Sequence, residues 1–229
     1  MPFYGVVLEV PNLAKTRAFY EGPLGLKAAA EATDEAALFT LGRTALRFVQ
    51  GAPTLRPSLL LTIAIPAAQF EAAMKRLAER APMLERDRDG ERIFRPADRP
   101  GPSAYLRDVA GNLLEFAALP SAVGQDVPPL SITRIGLPAL DLMAVRGFLQ
   151  DRLGLRAGVA EAGQVRLEGR GRTAFSFAET GSSWLPGERP IQPSPMRASM
   201  SGSQTACVRL PGHPYCIDML RPEELGERA

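Results

Sequence analysis

The sequence repeats itself, and the repeat constrains its fold more than any other feature. At an offset of 129 residues, Arg17-x-Phe19 followed by Leu24-Gly25-Leu26 recurs as Arg146-x-Phe148 followed by Leu153-Gly154-Leu155. At the same offset Gly42-Arg43-Thr44-Ala45 recurs as Gly171-Arg172-Thr173-Ala174. One offset serving two separated matches is the mark of a duplication. A third match, Gly111-Asn112 with Gly212-His213, needs an offset of 101, so the second copy is shorter by 28 residues. The shortfall falls between Phe177 and Cys207, and its counterpart in the first copy holds an apolar run and a helical pattern. One strand and one helix are therefore expected to be missing. The resulting division is 1–118 for a complete copy, 119–130 for a linker marked by Pro120, Gly124, Pro128 and Pro129, and 131–229 for a truncated copy.

Within the first copy the periodicities alternate between strand and helix. Residues 3–10 are rich in β-formers and end at Pro11; Asn12 can cap a helix carrying Leu13, Arg17 and Tyr20, which Gly22-Pro23 stops. Strands follow near 26–31, 36–41 and 44–49, the last two joined at Gly42-Arg43. A second unit starts with the strand Leu59–Ile65 and continues in a helix with Phe70, Met74 and Leu77 on one face. After a charged, proline-rich stretch from Asp87 to Pro102 come strands at 104–107 and 113–117 around the turn Asp108–Asn112. This is an α+β chain of paired βαβββ modules, duplicated, with a truncated second copy.

Composition narrows the function classes. No apolar run reaches the roughly 20 residues of a membrane span, and Glu9 and Pro11 interrupt any N-terminal signal pattern, so a cytoplasmic protein is expected. The net charge of +2 is dispersed, as in Glu85-Arg86-Asp87-Arg88-Asp89, which argues against a nucleic-acid partner. Two cysteines, Cys207 and Cys216, make no disulfide framework, and the single histidine, His213, leaves imidazole-based metal sites unsupplied.

The strand, the helix Ala14–Tyr20 and Leu24-Gly25-Leu26 together resemble the opening signature of the vicinal-oxygen-chelate superfamily, which includes glyoxalase I, bleomycin-resistance proteins and extradiol dioxygenases. Tyr105 to Glu115 is similar to its closing hairpin. In the second copy, Arg134-Ile135-Gly136-Leu137 and Leu210 to Cys216 are similar to the two signatures again. The resemblance implies curved sheets around a cavity, with one metal ligand from the first strand of each module and a glutamate from the last. Carried onto this chain, the ligand positions are Gly5, Leu60 (or its neighbours Leu59 and Leu61) and Glu115, of which only Glu115 can coordinate. In the second copy Arg134 stands at the first-strand position and Cys216 at the glutamate position, while the remaining position falls near the deletion.

The candidate ligand-binding residues are thus Glu115, Tyr105, Arg134 and Trp184. Glu115 reads either as a general base in an apolar cavity or as a carboxylate paired with an arginine. Tyr105 reads as a ligand contact or as strand packing, and Arg134 as a receptor for carboxylate or phosphate or as a salt-bridge partner. Trp184, in a long connection from Glu179 to Gln204, reads as packing onto the truncated module in place of the lost helix or as closing a cavity. His213 reads as a turn residue. Cys207 and Cys216 flank one hairpin and share a face if the register permits; with His213 and Asp218 they match no standard zinc spacing.

The leading expectation is a protein with a degenerate metal site that binds a small aromatic or amphipathic molecule with no cofactor, as a monomer or homodimer. The alternatives are a lyase, isomerase or dioxygenase, using a divalent metal ion or acid/base chemistry at Glu115, and a structural or interaction protein.

Overall fold

In the computed structural model, the described residues are 3–30, 32–85, 90–96, 100–119, 130–158, 163–169, 174–185, 189–201 and 205–221. The expected linker lies almost wholly outside them, as do Gly171-Arg172-Thr173 and Arg86 to Asp89 of the mixed-charge run.

The first module is β1 (Phe3–Val10), α1 (Leu13–Glu21), β2 (Ala36–Leu41) and β3 (Thr44–Gln50); the second is β4 (Leu60–Pro66), α2 (Ala67–Ala78), β5 (Ser103–Arg107) and β6 (Leu113–Leu119). The third is β7 (Ser131–Ala139), α3 (Leu142–Leu153), β8 (Arg156–Ala157), β9 (Gln164–Glu168) and β10 (Ala174–Glu179). The fourth is β11 (Met196–Ser201), β12 (Ala206–Arg209) and β13 (Tyr215–Leu220), without a helix among the described residues. Each module has the same wiring: its first strand runs parallel to its last, and the last pairs antiparallel with the strand before it.

The helices α1 and α3 start where short polar side chains cap them, whereas α2 follows Pro66 without a side-chain cap. Asn12 accepts from the Lys15 N–H at 2.9 Å, and Asp141 accepts from Met143 and Ala144. Gly154, at φ 63°, ends α3 in the left-handed conformation that glycine adopts without strain.

Two sequence expectations are corrected. The second copy keeps the strand it was expected to lose, as β11; among the described residues it is the helix that has no counterpart. Met196, Ala198 and Met200 alternate inward against Arg197, Ser199 and Ser201, but the segment has no β-branched residue to announce it. The long connection from Glu179 to Gln204 therefore contains a strand. The expected strand at 26–31 reduces to one bridge, Ala28 to Phe39, among alanines with little β preference.

The modules assemble into a six-stranded sheet, β12-β13-β11-β1-β3-β2, and a seven-stranded sheet, β5-β6-β4-β7-β10-β9-β8. Each sheet joins one module of each copy, through antiparallel β1–β11 and β4–β7 pairs. One face of each sheet enters a common core containing Val6, Leu46, Phe48, Leu61, Ile63, Leu114, Phe175 and Ile217, together with the inner sides of the helices. Phe3 of one sheet meets Phe175 of the other edge-to-face at 5.2 Å. The buried Tyr20 hydroxyl of α1 donates to Asp108 at 3.2 Å, fastening the first module to the β5–β6 turn. Asp108 also accepts the Gly111 and Asn112 N–H groups, and burial raises its pKa. The opposite face of the seven-stranded sheet carries the polar cluster described next.

Candidate functional site

Strand register aligns the cluster. Tyr105 on β5 is opposite Glu115 on β6, Glu115 is level with Thr62 on β4, and Thr62 is opposite Arg134 on β7. Residues in register point to the same face, so four polar side chains from four strands form one row.

The Glu115 carboxylate, with no exposed surface, is saturated with donors. Its Oε1 accepts from the Tyr105 hydroxyl at 2.7 Å and the Ser103 hydroxyl at 3.0 Å. Its Oε2 accepts from the Thr62 hydroxyl at 2.5 Å and Nη2 of Arg134 at 2.5 Å. Arg134 also donates from Nε to the Thr62 oxygen at 3.0 Å. A carboxylate offers about four lone-pair positions, and all are used.

An apolar lid covers the row. Trp184 and Ile191 pack with Leu60, Tyr105, Leu113 and Ala178 in a second cluster, with Phe94 edge-on to Tyr105 at 4.8 Å. Polar bonds fix the segment: Trp184 donates from Nε1 to the Ser58 carbonyl at 2.6 Å, Ser58 exchanges hydrogen bonds with Gln192, and Arg189 donates to the Pro57 and Gly111 carbonyls. Gly136 is needed beneath it, since a Cβ there would lie 2.6 Å from Cβ of Leu60 and 2.9 Å from the Trp184 ring.

The structure brings Glu115, Tyr105 and Arg134 into direct hydrogen-bonded contact, with Trp184 over the same face. Other sequence placements change. Trp184 covers the seven-stranded sheet rather than the truncated module. Gly5 lies in the six-stranded sheet, between Ala45 and Ser199, and does not converge with Glu115. The side chain level with Glu115 is Thr62; Leu60 is two residues along the strand and packs on Trp184. The face expected within the first copy is completed by Arg134 of the second. Sequence reading missed Thr62, Ser103 and Arg189. A lone hydroxyl inside the apolar run Leu59–Ile65 was the one visible sign of Thr62.

The fit to a divalent ion is poor. Arg134, Thr62 and Glu115 together offer one carboxylate and no imidazole, and a guanidinium cannot ligate a cation. The carboxylate lone pairs that would face an ion already accept hydrogen bonds, and Arg134 supplies the positive charge.

In the six-stranded sheet, Cys207 is opposite Asp218, and Cys216 is opposite Arg209. The register therefore puts both cysteines on one face, with their sulfurs 2.9 Å apart. Arg197 holds the Asp218 carboxylate through two hydrogen bonds. His213 stands away from this group: its Nε2 accepts from the Leu140 N–H at 3.0 Å, leaving Nδ1 to donate to the Pro211 carbonyl at 2.8 Å. It ties the hairpin to the end of β7. No helix among the described residues is long and apolar enough to cross a membrane.

No family model and no curated protein matches the sequence. Solved structures do match. Glyoxalase I from Zea mays superposes with a TM-score of 0.61 at 12% identity, over 99% of this chain and 94% of that one. A mutant of the same maize enzyme gives 0.64 at 11%, covering 99% and 95%. A Bacillus subtilis protein provisionally assigned as a dioxygenase gives 0.63 at 14%, covering 96% and 85%. Likeness at this identity concerns the fold.

Proposed function

On a chain with the vicinal-oxygen-chelate fold, we propose a small-molecule-binding protein in which an internal ion pair stands where the resemblance places a metal ion. The observation that carries this reading is the saturated, fully buried Glu115 carboxylate held by Arg134, Thr62, Ser103 and Tyr105. A general base needs a lone pair within reach of its substrate. Glu115 has none to offer, so the row acts as a strut rather than as acid/base machinery. Because the strut joins residues of 1–118 to residue 134, the two copies, divided at 119–130, work as one unit.

The ligand is then sought elsewhere. A cavity of about 180 Å³ opens between α2 and the connection after α1, lined by Leu24, Leu26, Ile63, Met74 and Phe116, with exposed Arg76 and Arg80 also on its wall. An apolar body with two guanidinium groups suits a small aromatic or amphipathic molecule carrying a carboxylate.

Thermal unfolding in the presence of phenylalkanoic acids of increasing length tests this. A ligand at a hundred times its Kd adds about 2.7 kcal/mol of stability, so the unfolding temperature should rise and saturate. Ala73→Trp, which fills the cavity, is expected to abolish the rise, and Arg80→Gln to weaken the acids but not the matching alcohols. No rise across the series, or a rise indifferent to Ala73→Trp, would contradict the assignment.

A further inference from the structure

The six-stranded sheet carries a reactive arrangement that small-molecule binding does not use. Cys207 on β12 and Cys216 on β13 are two residues out of register on one face, and their sulfurs lie 2.9 Å apart. A disulfide bond is about 2.05 Å long, so closure needs a movement of about 0.9 Å. Cys207 is exposed and Cys216 half-buried behind it. Access for the first and shelter for the second is the ordering expected of an attacking and a resolving thiol.

The neighbours add charge. Arg209 is opposite Cys216, Arg197 is level with Cys216 on its other side, and Arg47 continues the same row beyond Val7. All three arginines are exposed, whereas Asp218, the acidic group beside the sulfurs, is buried and engaged by Arg197. An approaching reactant therefore meets guanidinium groups first. Burial and the neighbouring Cys207 push the Cys216 thiol up to about 11, which leaves Cys207 as the sulfur that reacts first.

We propose that Cys207 and Cys216 form a thiol–disulfide exchange site for anionic low-molecular-weight disulfides. The Cys207 thiolate attacks one sulfur of the disulfide RSSR, forming a Cys207–SR bond and releasing one thiolate, RS⁻. Cys216 then loses its proton to solvent and attacks Cys207 Sγ, forming the Cys207–Cys216 bond and expelling the second RS⁻. The dithiol gives up two electrons, RSSR takes both, and no other oxidant is required. The product bond joins two adjacent strands of one hairpin, so the rest of the fold is undisturbed.

The reduced full-length protein is mixed with 3,3′-dithiodipropionate, with neutral 2-hydroxyethyl disulfide or with cationic cystamine, and quenched samples are weighed by intact-mass spectrometry. The expected product has lost the mass of two hydrogens. With each rate divided by that of the same reagent with a free monothiol, which removes the difference in leaving-group acidity, the dianionic reagent should be favoured roughly tenfold over the cationic one at low salt, with the gap narrowing as salt rises. Cys216→Ser should stop at a stable mixed disulfide on Cys207, and Cys207→Ser should react far more slowly than Cys216→Ser. Both positions are partly exposed, and circular dichroism checks that the variants fold. A dithiol that stays reduced in excess reagent, single variants reacting at equal rates, or a cationic reagent matching the anionic one on the normalised scale would overturn the proposal.

Discussion

Replacing Arg134 with methionine is expected to cost about 3–5 kcal/mol of folding stability, the usual loss when one member of a buried ion pair is removed. The cause is the charge left behind. Glu115 has no exposed surface, and Arg134 is 9% exposed, so water cannot take the place of the guanidinium. The hydroxyls of Thr62, Ser103 and Tyr105 would still donate, but none carries compensating charge. Urea denaturation followed by circular dichroism measures the loss. Lowering the pH should return part of it, because a carboxylate without its cation is neutralised by protonation. Glu115→Gln in the Arg134→Met background removes the stranded charge, so the double variant should lose clearly less than the sum of the singles. Additive losses would show that the two side chains are neighbours without being energetically coupled.

Trp184→Ala should be nearly as damaging, at about 3–5 kcal/mol for truncation of a large buried aromatic side chain. The ring fills the space between Leu60, Leu113 and Gly136 and holds its segment to Ser58 through Nε1. Its loss leaves a cavity beside Leu60 and Leu113 and frees the Ser58 carbonyl. Amide hydrogen exchange should quicken at Gly181, Ile191 and Gln192, whose N–H groups bond within the lid or to Ser58. Trp184→Phe keeps the bulk but not the donor and should recover most of the stability. A loss under about 0.5 kcal/mol for the alanine variant, the range of a surface substitution, would mean that the lid is not part of the folding unit.

Much of the architecture was legible because local signals and global fold agree. Asn12 caps a helix and Pro11 closes the first strand, each for a reason confined to a few residues. The strand β11 escaped because its inward residues, two methionines and an alanine, have weak β preference; its alternation shows only beside its partners. The pairing of modules across copies was not legible. Residues 60–65 of β4 are buried throughout, so the sequence of β4 does not mark which strand flanks it, and the β4–β7 contact that brings Arg134 to Glu115 is a tertiary choice. The same holds for the site. Glu115, Tyr105, Arg134 and Trp184 were visible as unusual residues, but a one-residue change of register would turn Thr62 to the other face. The sulfur pair depended on register in the same way.

On the function proposed above, Arg134 holds the place of a metal ion, and titration with manganese checks this, since this ion favours oxygen ligands and leaves the dithiol aside. Wild-type protein should show no calorimetric binding that Glu115→Gln removes, whereas the Thr62→His/Arg134→His variant, with two imidazoles beside the same carboxylate, should gain one stoichiometric site. One equivalent of manganese bound by the wild type and lost in Glu115→Gln would contradict the account.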